Sequence, residues 1–402
     1  MVTLTLVAVA SRSRLVMTGL VALLLSALAA SVAGMYLGSV RDVLDLIPGL
    51  MVLLPPSINM RGSISGVLAS RLSSSMHLGE FEVDFGKLSV LGGNIRASFV
   101  TTILIAFVLG FFAWAVTSLI GETGIDLIDF VLISVVSGIL SGIIVIVITI
   151  LVAVASHRYG VDLDMIGAPT VTTSGDVVTL PILVLTSVVL ITLDPVVRTV
   201  LFLAVLGVVA ASIVSTRYLP EQVRGIVREI VPLLIPLSLL GTFAGMTYAL
   251  DLDRLVSFAA LLILIPPFMG GCGSIGGILC SRLATGMHTG VFAPHIMPER
   301  DVYPHFATTY LYAVVLLPLM AAVAHGASLV MGLSSPGLLE MGIIATGAGM
   351  IVLSFVNVVS YATASMSFRY GLDPDNFGIP VITSVIDLMG AAVLIGVINL
   401  VL

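Results

Sequence analysis

The chain is 402 residues long, 58% hydrophobic and only 9% charged, with a formal net charge of −6. Soluble globular proteins carry roughly one quarter charged residues, so this composition excludes a soluble fold and indicates a polytopic membrane protein set in a lipid bilayer. The slight acidic excess gives no case for nucleic acid binding. Cys272 and Cys280, eight positions apart in one apolar stretch, are too far apart on a helix to bridge, so neither a disulfide framework nor a cysteine metal site follows.

A membrane span needs roughly twenty apolar residues, and eleven stretches qualify, near 15–38, 43–70, 94–119, 127–156, 169–193, 196–216, 229–250, 254–281, 305–331, 338–367 and 379–402. Arg12 and Arg14 ahead of the first stretch also suit a signal peptide. Against that, Gly34-Met35 returns as Gly245-Met246 in a later span, which favours a retained helix.

That return is part of a long internal repeat. Pro55-Pro56, Gly62-Ser63-Ile64, Leu68, Ser70-Arg71-Leu72, Met76-His77, Gly79 and Phe81 recur 211 positions on, as Pro266-Pro267, Gly273-Ser274-Ile275, Leu279, Ser281-Arg282-Leu283, Met287-His288, Gly290 and Phe292. The same offset carries Arg158-Tyr159-Gly160, Asp162, Asp164, Gly167, Pro169, Thr172 and Asp176 onto Arg369-Tyr370-Gly371, Asp373, Asp375, Gly378, Pro380, Thr383 and Asp387. The first five spans map onto the last five, leaving 196–216 as a linker span. Five spans alone would invert the second copy; the linker restores its direction. The expected fold is therefore an all-α membrane protein of two parallel, pseudo-symmetric five-helix repeats (1–195 and 226–402) joined by a linker helix and connection (196–225).

Arginine and lysine test the orientation. With a cytoplasmic N-terminus, the inside segments hold Arg12, Arg14, Arg71, Lys87, Arg96, Arg158, Arg217, Arg224, Arg228, Arg282, Arg300 and Arg369, against Arg41, Arg198 and Arg254 outside and Arg61 within a span. Positive charge collects on the cytoplasmic side, so the N-terminus is expected inside and the C-terminus outside, in the plasma membrane.

Asp176 and Asp387 are the acids that chemistry must explain. Each lies seven residues past a proline expected to open its helix, about 10 Å inside at 1.5 Å per residue. A carboxylate at that depth needs water, a cation or a hydrogen-bond partner. Thr172 and Thr383, four positions earlier, share their helix faces. Parallel repeats place the two aspartates at symmetric positions, and a divalent cation between them would resolve their repulsion. The paired prolines are expected to interrupt the second and eighth spans. Beyond them, Ser63, Gly66 and Ser70 share a face, as do Ser274, Gly277 and Ser281; small residues there allow close packing or leave room for a hydrated ion. His77 and His288 fall past span ends and are read as solvated. Asp162 and Asp164, with Asp373 and Asp375, mark a cation entrance or simply solvated acids near a helix start.

Gly62-Ser63-Ile64 followed by Leu68-Ala69-Ser70-Arg71-Leu72-Ser73 and Gly79 resembles a signature of the MgtE-type magnesium transporters, above all their duplicated eukaryotic solute-carrier relatives. Asp373-Pro374 leading to Gly378, Pro380 and Asp387 resembles the family's fifth-helix signature. The resemblance implies paired five-span units with the ion path at their interface and an acidic fifth-helix ligand, here Asp176 and Asp387. This sequence departs from the family in having Ser63 and Ser274 where relatives often have asparagine, and Leu163 after Asp162; no soluble magnesium-sensing domain is expected.

The reading is a divalent cation channel or transporter, with Mg2+ as the transported ion and no organic cofactor, working as a pseudo-dimeric monomer. Asp176 and Asp387 are its metal ligands, supported by Thr172, Thr383, Ser63, Ser274, Gly66 and Gly277. The alternative is an intramembrane Mg-dependent enzyme acting on a lipid or prenyl diphosphate through the Asp-x-Asp pairs; it lacks a basic cluster to hold phosphate.

Overall fold

The computed structural model describes residues 2–402 except 48, 87–88, 122–124, 160–162, 292, 296 and 372–373. The side chains of 2–16, 18, 77, 120, 163–169, 171–172, 222, 288, 374–377 and 379 also lie outside the description. Within the described residues the chain forms thirteen helices and no strand. They are α1 (Val2–Ser39), α2 (Arg41–Leu46), α3 (Leu50–His77), α4 (Val90–Ile120), α5 (Leu127–Tyr159), α6 (Leu163–Thr192), α7 (Pro195–Thr216), α8 (Glu221–Leu250), α9 (Leu252–Ser257), α10 (Ala259–His288), α11 (Tyr303–Val330), α12 (Leu338–Tyr370) and α13 (Pro374–Val401).

Local signals set several of these ends. Ser89 caps α4 by accepting from the Gly92 N–H at 3.1 Å, and Gly121, in the left-handed region at φ 81°, closes it; glycine adopts that φ at no steric cost. Asp194 caps α7 by accepting from the Val196 N–H at 2.8 Å, with Pro195 in the first turn, where its missing N–H is not needed. Ten helices are long and apolar enough to cross a membrane. The eleventh expected span corresponds to α3, long enough but too polar by composition, since it carries Asn59, Arg61 and several serines.

The 211-residue offset survives in three dimensions. It maps α5 onto α12 and the short α2 onto α9 at both ends. These short helices were not anticipated: each stretch expected to begin a span near 43 or 254 first makes a separate six-residue turn.

The paired prolines do not interrupt their helices, contrary to expectation. Pro55 and Pro56 lie inside α3, and Pro266 and Pro267 inside α10. Each removes the N–H that would reach the carbonyl four residues earlier, and the freed oxygens meet a glycine of a crossing helix. A Cβ on Gly245 of α8 would stand 2.7 Å from the Met51 oxygen and 2.5 Å from that of Val52. One on Gly34 of α1 would stand 2.1 Å from the Ile263 oxygen. Only glycine fits at either crossing.

Those crossings tie the repeats together. The first helix of each repeat packs on the other: α1 against α10 and α11, α8 against α3 and α4. Each also returns to its own repeat's last helix, α1 to α6 and α8 to α13. By contrast α7 packs chiefly on α4 and α5, and most of its surface faces outward. Arg198 pins it through a 2.7 Å ion pair with Asp129 of α5.

Candidate functional site

Asp176 and Asp387 sit on the last helices of the two repeats, α6 and α13. Both helices begin earlier than expected. Pro380 lies inside α13 and position 169 falls within α6, so the prolines do not open them. Asp176 is therefore thirteen residues into its helix, about 20 Å at 1.5 Å per residue. It is 8% exposed, and it lies within Coulombic range of Asp387. Among the described residues no arginine, lysine or histidine forms an ion pair with either aspartate. Two acids from different repeats thus converge, with no ion-paired cation among the described residues to balance them.

Asn59 on α3, a residue that sequence reasoning passed over, occupies the space beside Asp387. Its Nδ2 donates to Asp387 Oδ2 at 2.6 Å and to Ser384 Oγ at 2.9 Å. Its Oδ1 accepts from Ser63 Oγ at 3.2 Å and Thr383 Oγ1 at 3.3 Å. Ser63 reaches Asn59 because the two are four apart on one helix face. Thr383 and Ser384 come from the turn preceding Asp387 on α13. The buried Tyr248 of α8 completes the surroundings: it lies within Coulombic range of Asp387, and its hydroxyl has no hydrogen-bond partner among the described residues. The signal that would have found Asn59 is a mismatch between repeats, because its counterpart 211 positions on is Gly270.

The other expected residues divide. Ser63 and Thr383 are in the cluster. Ser274 is partly buried on α10 and, among the described residues, makes no hydrogen bond to either aspartate. Gly66 and Gly277 face open space, since a Cβ on either would meet nothing within 4 Å; at these two positions the small residue serves no close packing. The side chains of Thr172, Asp164 and Asp375, and all of Asp162 and Asp373, lie outside the described residues, as do the side chains of His77 and His288. Cys272 and Cys280 are buried and carry no disulfide.

The two-fold symmetry is broken at this site. Among the described residues α3 packs against both α6 and α13, whereas α10 packs against α13 with no comparable contact to α6. Arg61, two residues past Asn59, is fully buried and has no carboxylate partner. Its guanidinium donates to Thr102 Oγ1 at 3.2 Å, Ser141 Oγ at 3.1 Å and the Gly138 carbonyl. The contacts turn the charge away from α13 and into α4 and α5.

An all-helical bundle of apolar spans marks a polytopic membrane protein. The model of the MgtE family, described as divalent cation transporters, matches residues 54–186 and again 265–397. The chain belongs to that family. It is also similar to solute carrier family 41 member 3 of Rattus norvegicus, 24% identical over 92% of this chain and 84% of the relative. Solute carrier family 41 member 2 of Gallus gallus and of Homo sapiens are each 24% identical over 93% of this chain and 68% of theirs. No solved structure matches the chain. Membership of a transporter family sets aside the diphosphate-enzyme alternative.

Proposed function

We propose that the chain carries Mg2+ across the membrane along one path between its two repeats, with Asp176 and Asp387 facing the hydrated ion. The observation that supports this best is the convergence of one acid from each repeat, Asp176 buried and Asp387 partly buried, with no ion-paired arginine, lysine or histidine among the described residues. Mg2+ sheds water reluctantly and is held by one or two carboxylates while keeping several waters. Two acids among hydroxyls and an amide suit that habit. A many-carboxylate cage does not arise: among the described residues, no three of His, Cys, Asp and Glu converge. Gly66 and Gly277 would leave width for the ion's water shell.

In this reading 1–195 and 226–402 are the two transport halves, 196–225 is the link, and one chain is a pseudo-dimer. The N-terminus lies in the cytoplasm and the C-terminus outside the plasma membrane, the arrangement that the positive charge distribution favours. The test is Mg2+ flux into proteoliposomes. Replacing both acids (Asp176→Asn with Asp387→Asn) is expected to abolish flux while leaving the purified protein folded and monodisperse; wild-type flux in the double variant would remove this site.

A further inference from the structure

We infer that Asn59 is a third side chain of the cation site, supplied by the first repeat alone, which holds Asp387 with its amide N–H and turns its amide oxygen to the ion when one enters. The inference rests on the reading of Asp176 and Asp387 as the site.

Three observations carry it. The Nδ2 contact to Asp387 is short, at 2.6 Å, and places the amide hydrogens where a cation would otherwise stand. The remaining partners of Asn59 are the hydroxyls of Ser63, Thr383 and Ser384. A hydroxyl both donates and accepts. If the amide rotates half a turn about its terminal bond, Nδ2 donates to Ser63 and Thr383, while Oδ1 accepts from Ser384 and faces Asp387. The carboxylate is the one partner that cannot follow, because it only accepts; a cation with its waters supplies what it loses. The third observation is the buried Tyr248 hydroxyl, without a partner beside the same carboxylate. It gives a hydrated ion a further polar contact on the α8 side.

The arrangement has no second copy. Gly270 stands at the equivalent position of α10, and a Cβ there would meet only the methyl of Ala30, at 3.9 Å. The site is thus built from two acids and one amide, so its two faces treat an approaching ion differently.

The experiment compares Asn59→Leu and Asn59→Asp with wild type and with the Asp176→Asn, Asp387→Asn double variant. Each is assayed for Mg2+ concentration at half-maximal flux, for preference over Ca2+, and for melting temperature with and without Mg2+. Loss of a hydrogen bond to a charged group corresponds to about tenfold in an equilibrium constant. Asn59→Leu is therefore expected to raise the half-saturating Mg2+ about tenfold and to weaken discrimination against Ca2+. Asn59→Asp keeps an oxygen but sets it against Asp387, so its melting temperature should fall without Mg2+ and recover with it. Unchanged or lower half-saturation in Asn59→Leu, or no Mg2+-dependent recovery in Asn59→Asp, overturns the inference. If the double aspartate variant loses flux in the same assay, the failure belongs to Asn59 alone; if it too transports normally, the site itself falls.

Discussion

In the first repeat, Arg61 sits in a polar socket made by Thr102 on α4 and by Gly138, Ser141 and Gly142 on α5. In the second repeat, the same five positions hold Cys272, Ala313, Gly349, Val352 and Leu353, all buried. The exchange is coordinated: where the guanidinium is lost, the hydroxyls that fed it are lost too, and Leu353 fills space that Gly142 must leave empty. The neighbouring helix follows. Gly175 of α6 lies against Arg61, with a Cβ there falling 3.4 Å from Cγ, while Ile386 stands at its counterpart on α13. A buried charge without hydrogen-bond partners costs far more than a missing methylene. The first repeat meets both terminal nitrogens of Arg61, leaving Nε without a partner among the described residues, and the second repeat dispenses with the charge and the two hydroxyls together.

What the repeats share is tested by the largest perturbation. Gly34→Leu and Gly245→Leu should each prevent recovery of folded protein, to the same extent, because the obstacle at 2.1–2.5 Å is backbone carbonyl oxygen. A single-peak gel-filtration profile for either would break the proposed equivalence of the crossings.

What they do not share calls for a one-sided effect. Gly142→Leu drives a side chain into Arg61 Nη1, 2.7 Å from an added Cβ, and overpacking of this kind costs about 3 kcal/mol. The loss should appear as a lowered melting temperature in detergent, although leucine is the resident at the matching position 353. A smaller change sharpens the same contrast. Thr102→Ala removes a hydroxyl that accepts from the buried guanidinium, for about 2 kcal/mol, and Thr102→Ser should restore most of it; equal stability of Ala and Ser would show that the socket does not depend on this bond.

The extent to which the sequence could be read follows from the same contrast. The constant offset made the two repeats, the linker at α7 and the paired Asp176 and Asp387 legible, because a pattern that returns in register survives any uncertainty about where helices end. Asn59 escaped notice, and Arg61 was noted only as a charge within a span, because both stand where the copies disagree, and a search for recurrence discards them. The exchange of α1 and α8 between halves leaves no mark in a hydropathy profile, which reports how long a helix is and not what it touches. The prolines were expected to open gaps because their effect on their own helix is local, whereas the answer to their freed carbonyls lies some 190 residues away, on Gly245, or before them on Gly34.

The helix exchange also constrains how the chain can be made. α1 leaves the ribosome about 220 residues before α10, the surface it finally lies against. Until then its glycine-bearing face has only lipid or a chaperone to meet. The first half thus waits, inserted but unfinished, for the second to emerge: α3, α4, α5 and α6 can pack on one another, but a translation arrest within the linker would leave α1 without α10 and α3 without α8.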